Sequence, residues 1–574
     1  MNIQKLQAEI IAIYQEIAEL KISTAETILK KLLNIIERLV GNQQAQEIEL
    51  QELRDEVNRL KGEQGKPDIK PSKKPDGDIS SETERKEAEA NANNDSITDV
   101  GAADSEGEIK KKRQRDKKLP KIKIDREQIC SLNKDGLPDD LIFKDYQDVV
   151  IQNLIIKTDN VKYRREVYYS PSQHKTYLAA LPVGVQGQGE YGCGIRALIP
   201  ILKSEANMSE KRILGFFENF GIVISPTYIS RQWTHGYDLF HQEKSELYRT
   251  GLMASDYANM DDTSARVNGV NQYCQIVCNQ FFTAYFTTPK KDRLSALAVL
   301  TNFTPTQYIY SPHARTLLDT FNLSNKARVA VDAQLPVDVV LDESQFNAHL
   351  AKIDLLGSRQ RTHVAEACAI AYYQQQTDFP VVKTLLADDA PQFKLLTLYL
   401  ALCWIHDGRH YKKLSPILPI YQDILHDFLG QYWRYYTELR KYQKEPTPEK
   451  KRWLGEQFDQ IFATVTDYDD LNDRIAKTLA KKTELLRVLE LPHLPLHNNA
   501  AELGARVQAR SRDVSFQTRS GRGTKIKDAF MSINQTAVKL GVSFYDYVYD
   551  RVSGQFKLPS LADLITQTAQ GLRV

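Results

Sequence analysis

The sequence predicts a mixed α/β protein: an α/β core with an α-helical insertion, preceded by a coiled-coil N-terminus and a small β-rich and helical region. Three observations lead there. Apolar strands alternate with helices from about residue 250, acidic pairs close two of those strands, and residues 393–490 read helical almost throughout. The 574 residues, 42% of them apolar, exceed what one hydrophobic core serves, so several domains are expected.

Composition removes some classes. No apolar run approaches the roughly 18 residues that a membrane-spanning helix needs, and the N-terminus opens on an amphipathic pattern where a signal peptide would carry an apolar core. The six cysteines, at 130, 193, 274, 278, 368 and 403, form neither a dense disulfide framework nor a paired Cys-x-x-Cys pattern, which fits a reducing, cytoplasmic setting. A formal net charge of +2 conceals strong local asymmetry.

The elements follow in order. Ile3, Leu6, Ile10, Ile13, Ile17 and Leu20 alternate at spacings of three and four, a coiled-coil seam that recurs at Leu50, Leu53, Val57 and Leu60. Gly41 interrupts it, so two helical segments are expected within residues 1–61. Self-association and packing on the chain's own domain are both open, and self-association is favoured because no globular sequence follows directly. Residues 62–123 lack apolar periodicity and read as a disordered linker. Its end is basic: Lys110, Lys111, Lys112, Arg113, Arg115, Lys117, Lys118, Lys121 and Lys123 are opposed only by Asp116.

Residues 124–185 carry short β-branched and aromatic runs, the pattern of a small β-rich module. Residues 186–249 turn helical. Within them a helix opens at Ser209, turns at Gly221 and resumes at Ser225 or Pro226, which is helix-turn-helix spacing and equally the spacing of a purely structural helical pair. Residues 250–392 supply the first part of the core, with strands within 252–263, 271–279 and 280–288, a helix at 293–301, another at 363–376, and a strand through Leu386-Ala387-Asp388. The helical insertion occupies 393–490, the core's last part 491–550, and a tail 551–574. Cys274 and Cys278 read as core residues.

The chemistry lies in the acids. Asp261 with Asp262, Asp388 with Asp389, and Glu502 opening a helix could converge. Carboxylates of this kind hold divalent magnesium in phosphodiester chemistry, although any one acidic pair ordinarily caps a helix or closes a turn.

Along the chain come Asp261-Asp262-Thr263, Leu386-Ala387-Asp388 with Phe393 five residues on, Cys403-Trp404-Ile405-His406 with Arg409, and Asn498-Asn499-Ala500-Ala501-Glu502. Arg506 follows Glu502 by four, residues 510–516 form a basic-then-aromatic run, and Ser520-Gly521-Arg522-Gly523 makes a Ser-x-x-Gly turn before a last helix. Over residues 115–550, with the leucine-rich N-terminus in place, this series resembles the DDE transposases of the insertion-sequence-66 family. One departure stands out. Relatives carry a four-cysteine zinc module ahead of the catalytic domain, whereas here that stretch has only Cys130 and Cys193.

The resemblance implies a ribonuclease-H-like core in which Asp261, Asp388 and Glu502 are the catalytic, metal-binding triad. The first would lie on the first strand, the second just after the fourth, and the glutamate on a helix beyond the insertion. Asp262 and Asp389 become neighbours of the ligands. The implied cofactor is Mg2+, as two ions, with Mn2+ able to substitute. The implied partners are DNA, as terminal inverted repeats and target, a second copy or more of the chain, and small companion proteins, with no membrane and a bacterial, nucleoid-associated location.

Downstream of Glu502 the basic residues Arg506, Arg510, Arg512, Arg519, Arg522, Lys525 and Lys527 outnumber Asp513 and Asp528, the balance expected of a phosphate-binding stretch. Gly521 and Gly523 would let backbone amides approach a phosphate. Arg409 and His406 join the DNA-binding set. For His406 a core position and a zinc site with Cys403 and His410 on one helix face stay open. The expected function is metal-dependent DNA cleavage and strand transfer. Its rival is a transposase-derived DNA-binding or regulatory protein, against which three intact carboxylates weigh.

Overall fold

The computed structural model describes residues 23–60, 123–133, 143–182 and 191–571. The seam at residues 3–20 and nearly all of the basic linker lie outside the described residues.

Helix α1 (Ser23–Leu60) runs unbroken through Gly41, where the sequence predicts a break. A lone glycine costs a helix only about 1 kcal/mol, and Gly41 has open space where a Cβ would stand. Part of α1 packs on the chain itself. Leu29 and Leu33 are buried among the aromatics of the helical insertion, the Glu37 carboxylate accepts the Ile417 and Leu418 amides at 2.5 and 3.0 Å, and Asn34 accepts the Asp469 amide at 3.0 Å. Of the two readings of this segment, packing on its own domain describes residues 29–37, while Leu50 and Leu53 stay exposed.

Among the described residues of 124–185 the only strands are β1 (Val167–Ser170) and β2 (Lys175–Leu178), an antiparallel hairpin. Ile151, Leu154 and Ile155 are exposed, so the apolar runs there enter no sheet. Helices α2 (Cys193–Ser204), α3 (Glu210–Asn219), α4 (Pro226–His235) and α5 (Leu239–Met253) follow. Ser209 and Ser225 cap α3 and α4 through the Arg212 and Tyr228 amides, and Gly221 takes φ +70° in the turn between them, as the sequence predicts.

The central sheet contains β3 (Tyr257–Val267), β4 (Val270–Cys278), β5 (Thr283–Thr288), β8 (Thr384–Ala387) and β9 (Tyr399–Leu402), in the order β5-β4-β3-β8-β9. The first three strands are antiparallel neighbours, and β8 and β9 run parallel to β3. This mixed sheet is compatible with a ribonuclease-H-like core. Strand β9 corrects the expectation of helix throughout 393–490: the α/β pattern continues to Leu402, because β9 completes the sheet edge beside β8.

Between β5 and β8 lie α6 (Arg293–Leu300), a small lobe and the buried helix α10 (Ser358–Gln375). The lobe holds β6 (Tyr308–Ile309), α7 (Pro312–Thr320), α8 (Asn325–Gln334), β7 (Val340–Leu341) and α9 (Glu343–Ala351). The insertion comprises α11 (Trp404–Lys412), α12 (Pro419–Lys444), α13 (Pro448–Phe462), α14 (Asp469–Leu479) and α15 (Lys482–Leu485) around Trp404, Tyr411, Tyr432, Phe458 and Phe462. Helices α16 (Asn499–Ser515) and α17 (Gly521–Lys539) return to the sheet, and α18 (Phe544–Ser553) and α19 (Leu561–Gly571) close the chain. Among the described residues no helix is long and apolar enough to cross a membrane.

Side-chain alternation assigns the two faces of the sheet. Met260, Val277, Phe286, Leu385 and Ala387 join the large core. Ala265, Cys274, Ile276 and Tyr285 point the opposite way, with Ala505 and Val507 of α16 and Met531 of α17. Gly504 permits this approach: a Cβ there would stand 2.9 Å from Ile276 Cγ2.

Candidate acidic site on the central strands

Strand alternation separates each acidic pair. Asp261 shares the phase of Asn259 and Ala265, on the α16 side, while Asp262 shares that of Met260 on the opposite side. Likewise Asp388 continues the phase of Leu386, and Asp389 that of Ala387. The last register pair of β3 with β8 is Asn259↔Leu386. Asp261 and Asp388 therefore stand two residues beyond the same rung on neighbouring parallel strands, whose spacing is about 4.8 Å.

The remaining acids of the two pairs are engaged elsewhere. Asp262 meets Lys291 at 3.4 Å and accepts Gln392 Nε2 at 2.7 Å. Asp389 pairs with Lys394 at 2.8 Å and with Lys481. Burial opposes ionisation of Asp389, but those two lysines outweigh it and hold its carboxyl below the usual carboxylate range.

Glu502 lies in the first turn of α16, which packs on β3 and β4. The buried Asn498 joins that turn to β3: it accepts Asn259 Nδ2 at 2.9 Å and donates to the Met260 carbonyl at 2.9 Å, one residue before Asp261. From the other side, Trp404 N donates to Leu496 O at 2.9 Å and Asn498 N donates to Cys403 Sγ at 3.2 Å, tying the start of α11 to the approach of α16. The Asn-Asn-Ala-Ala-Glu block thus fastens the glutamate's helix to the aspartate's strand, a role the sequence reading did not give Asn498.

The electrostatics follow. Burial, reinforced by Asp388, Asp262 and Glu502 and only partly offset by the Asp262 amide, pushes Asp261 up to about 7. Asp388 Oδ1 accepts the Ala390 amide at 3.1 Å. Arg409 grips both Glu502 oxygens, Nη1 to Oε1 at 3.3 Å and Nη2 to Oε2 at 3.1 Å. His406 places Nδ1 3.5 Å from Oε1, and burial lowers its pKa, so the ring is neutral at pH 7.

Donor atoms of Cys403, His406 and Glu502 lie within 4.8 Å of one another. Burial pushes the Cys403 thiol up to about 12. It serves as acceptor for an amide, in the form least suited to zinc. His410, expected on the same face, is exposed and stands outside this group.

The basic residues divide. Arg506 and Arg510 follow Glu502 at i+4 and i+8 on one face of α16 and are exposed, as are Arg519 and Lys525. Arg512 turns back to the Ser264 carbonyl at 2.9 Å, and Arg522 Nη2 donates to both Asp238 oxygens at 2.9 Å. Lys527 is largely buried, and that burial lowers its pKa, so it leaves the basic surface. The Ser-x-x-Gly turn is a helix cap. The Gly523 amide donates to Ser520 Oγ at 3.1 Å and is not free for a phosphate, contrary to the expectation for that glycine.

These features define a mixed α/β protein whose five-stranded sheet carries Asp261 within its central strand and Asp388 just past the end of the neighbouring strand, with Glu502 on the helix that covers that face. Residues 371–526 match the family described as "Transposase IS66 family". That span holds Asp388, Cys403, His406, Arg409 and Glu502; Asp261 lies before it. The chain is also 31% identical over 330 residues to the uncharacterized protein y4jO of Sinorhizobium fredii, an alignment covering 56% of this chain and 100% of that protein. The chain belongs to the IS66 transposase family.

Proposed function

We propose that this chain is a DDE transposase that binds the terminal inverted repeats of a mobile element and cleaves and transfers DNA strands with Asp261, Asp388 and Glu502. The observation that carries the reading is the shared phase and register of Asp261 and Asp388, with the helix of Glu502 fastened to β3 beside Asp261 by Asn498.

The donor set fits a divalent ion. Oxygen ligands from carboxylates suit magnesium or manganese; Asp261 is raised first by burial and then by the charges of Asp388, Asp262 and Glu502, and a cation between these groups would relieve that second contribution. A pair of such ions supplies activation of a water or 3′-hydroxyl and stabilisation of the leaving oxygen. The protein's part is to hold and orient. Asp261 and Asp388 are fixed by adjacent strands and Glu502 by a clamped helix. Arg506 and Arg510 extend the face of Glu502 along α16, where they would neutralise DNA phosphates near the scissile bond, with Arg519 and Lys525 beyond them. The capped α3–α4 pair would add an end-recognition element. A second copy of the chain would hold the second end.

The deciding experiment compares wild type with Glu502→Gln on duplexes carrying the element's own repeats in Mg2+ or Mn2+, with companion proteins supplied. The expected result is end binding by both and cleavage by wild type alone. Cleavage by Glu502→Gln at the wild-type rate would refute the assignment.

A further inference from the structure

Arg409 engages Glu502 in a two-pronged pair, each nitrogen to a different carboxylate oxygen at 3.3 and 3.1 Å. The pairing is bidentate, and Arg409 Nη1 also stands 3.2 Å from His406 Nε2. The pair is asymmetric in exposure: the Glu502 side chain is 12% exposed and that of Arg409 is 41% exposed. Arg409 is therefore the partner on the solvent side, and Arg506, one turn beyond Glu502 along α16, is exposed as well.

A carboxylate with both oxygens in an arginine fork is a poorer ligand for a cation than a free one, because the guanidinium already neutralises it and repels a second positive charge nearby. Helix α11 is anchored independently of this contact. On its inner face Asp407 pairs with Arg474 and accepts Thr478 Oγ1 at 2.9 Å, and Tyr432 OH donates to the Trp404 carbonyl at 2.8 Å. The Arg409 side chain can thus change partner while its helix stays in place.

We propose that Arg409 is a latch on Glu502 that DNA opens: a backbone phosphate arriving at this site takes the guanidinium, Glu502 is released, and the acidic site becomes competent for a divalent ion only with DNA bound. This inference rests on the triad reading above. It makes Arg409 a positioning residue that leaves Glu502 and His406, its partners in the free protein, for a phosphate in the complex, and it restrains metal-dependent hydrolysis when no DNA end is present.

The test measures Mn2+ binding by the full chain, from the paramagnetic resonance of free Mn2+, with and without a terminal-repeat duplex and after subtraction of Mn2+ held by the duplex alone. Wild type is expected to bind Mn2+ about tenfold more tightly with DNA than without. Arg409→Met is expected to reach that tighter affinity without DNA, and Arg409→Lys, which keeps the charge but cannot fork, to fall between; it carries the test if Arg409→Met does not fold. Loss of a neighbouring positive charge alone favours a cation, so Arg409→Lys separates the fork from the charge: an affinity of that variant equal to that of wild type without DNA would overturn the latch. Arg409→Met binding Mn2+ no more tightly than wild type in the absence of DNA would overturn the latch while leaving the triad intact, provided Glu502→Gln still weakens binding. Mn2+ affinity unchanged by Glu502→Gln in both backgrounds would overturn the triad reading and the latch together.

Discussion

Asn498 accepts a hydrogen bond from Asn259 Nδ2 and donates one to the Met260 carbonyl, each at 2.9 Å, with its own side chain fully buried. The two bonds fix the first turn of α16 against β3 at the residues just before Asp261. Asn498→Ala removes both and leaves the buried Asn259 amide and Met260 carbonyl unsatisfied, at about 1–3 kcal/mol per group. The expected outcome is a loss of about 2–4 kcal/mol in denaturant unfolding. Strand cleavage should fall by a larger factor than end binding, because Glu502 loses its orientation while the exposed arginines remain. A variant as stable as wild type, or one that loses end binding in proportion to cleavage, would contradict this account.

Gly504 lies where α16 crosses the sheet. An added Cβ would stand 2.9 Å from Ile276 Cγ2 and 3.4 Å from Tyr285 OH, which itself donates to the Gly504 carbonyl at 3.1 Å. Gly504→Ala is therefore expected to destabilise by about 1–3 kcal/mol through overpacking, although alanine is the better helix former. Ile276→Val relieves part of the clash, so the double variant should be more stable than the sum of the two single changes implies. Simple additivity in thermal unfolding would show that the helix does not bear on Ile276.

Much of this arrangement was legible in the sequence. Alternation and turn residues gave β3, β4, β5, the helix at 293–300 and the capped α3–α4 pair. The glycine in the middle of α16, unfavourable for a helix, was a usable signal of close packing. Strand β9 escaped because Tyr-Leu-Ala-Leu is a four-residue apolar run that reads equally well as helix. The lobe at 308–351 escaped for a similar reason, its two strands being two residues each. The docking of α1 was out of reach: Glu37 finds the Ile417 amide 380 residues away, and no local pattern announces such a contact. The site was half legible. Its residues stood out by type, but the choice of Asp261 over Asp262 needs the face that α16 covers, and the Arg409–Glu502 fork spans 93 residues.

Asp261 links the site to the stability of the whole chain. Its carboxyl is raised from 3.8 to about 7, first by burial and then by Asp388, Asp262 and Glu502. Between those values the folded protein holds a proton that the unfolded chain has released, so the folded state binds more protons and its stability falls as pH rises. Metal-free protein should accordingly lose roughly 1–4 kcal/mol from this group between about pH 4 and pH 7, on top of the opposite contributions of carboxylates that are ionised and paired. Asp261→Asn abolishes that term and is expected to unfold at a higher temperature than wild type at pH 8 without metal. Added Mg2+ should raise the wild-type melting temperature at pH 8 and leave that of Asp261→Asn nearly unchanged, because the relief of crowded negative charge and the binding of the ion draw on the same carboxylate. Differential scanning calorimetry at pH 5 and pH 8, with and without Mg2+, measures all four cases. Equal stabilisation of both proteins by Mg2+ would place the ion elsewhere, and a wild-type advantage at pH 8 without metal would show that Asp261 is not the strained group.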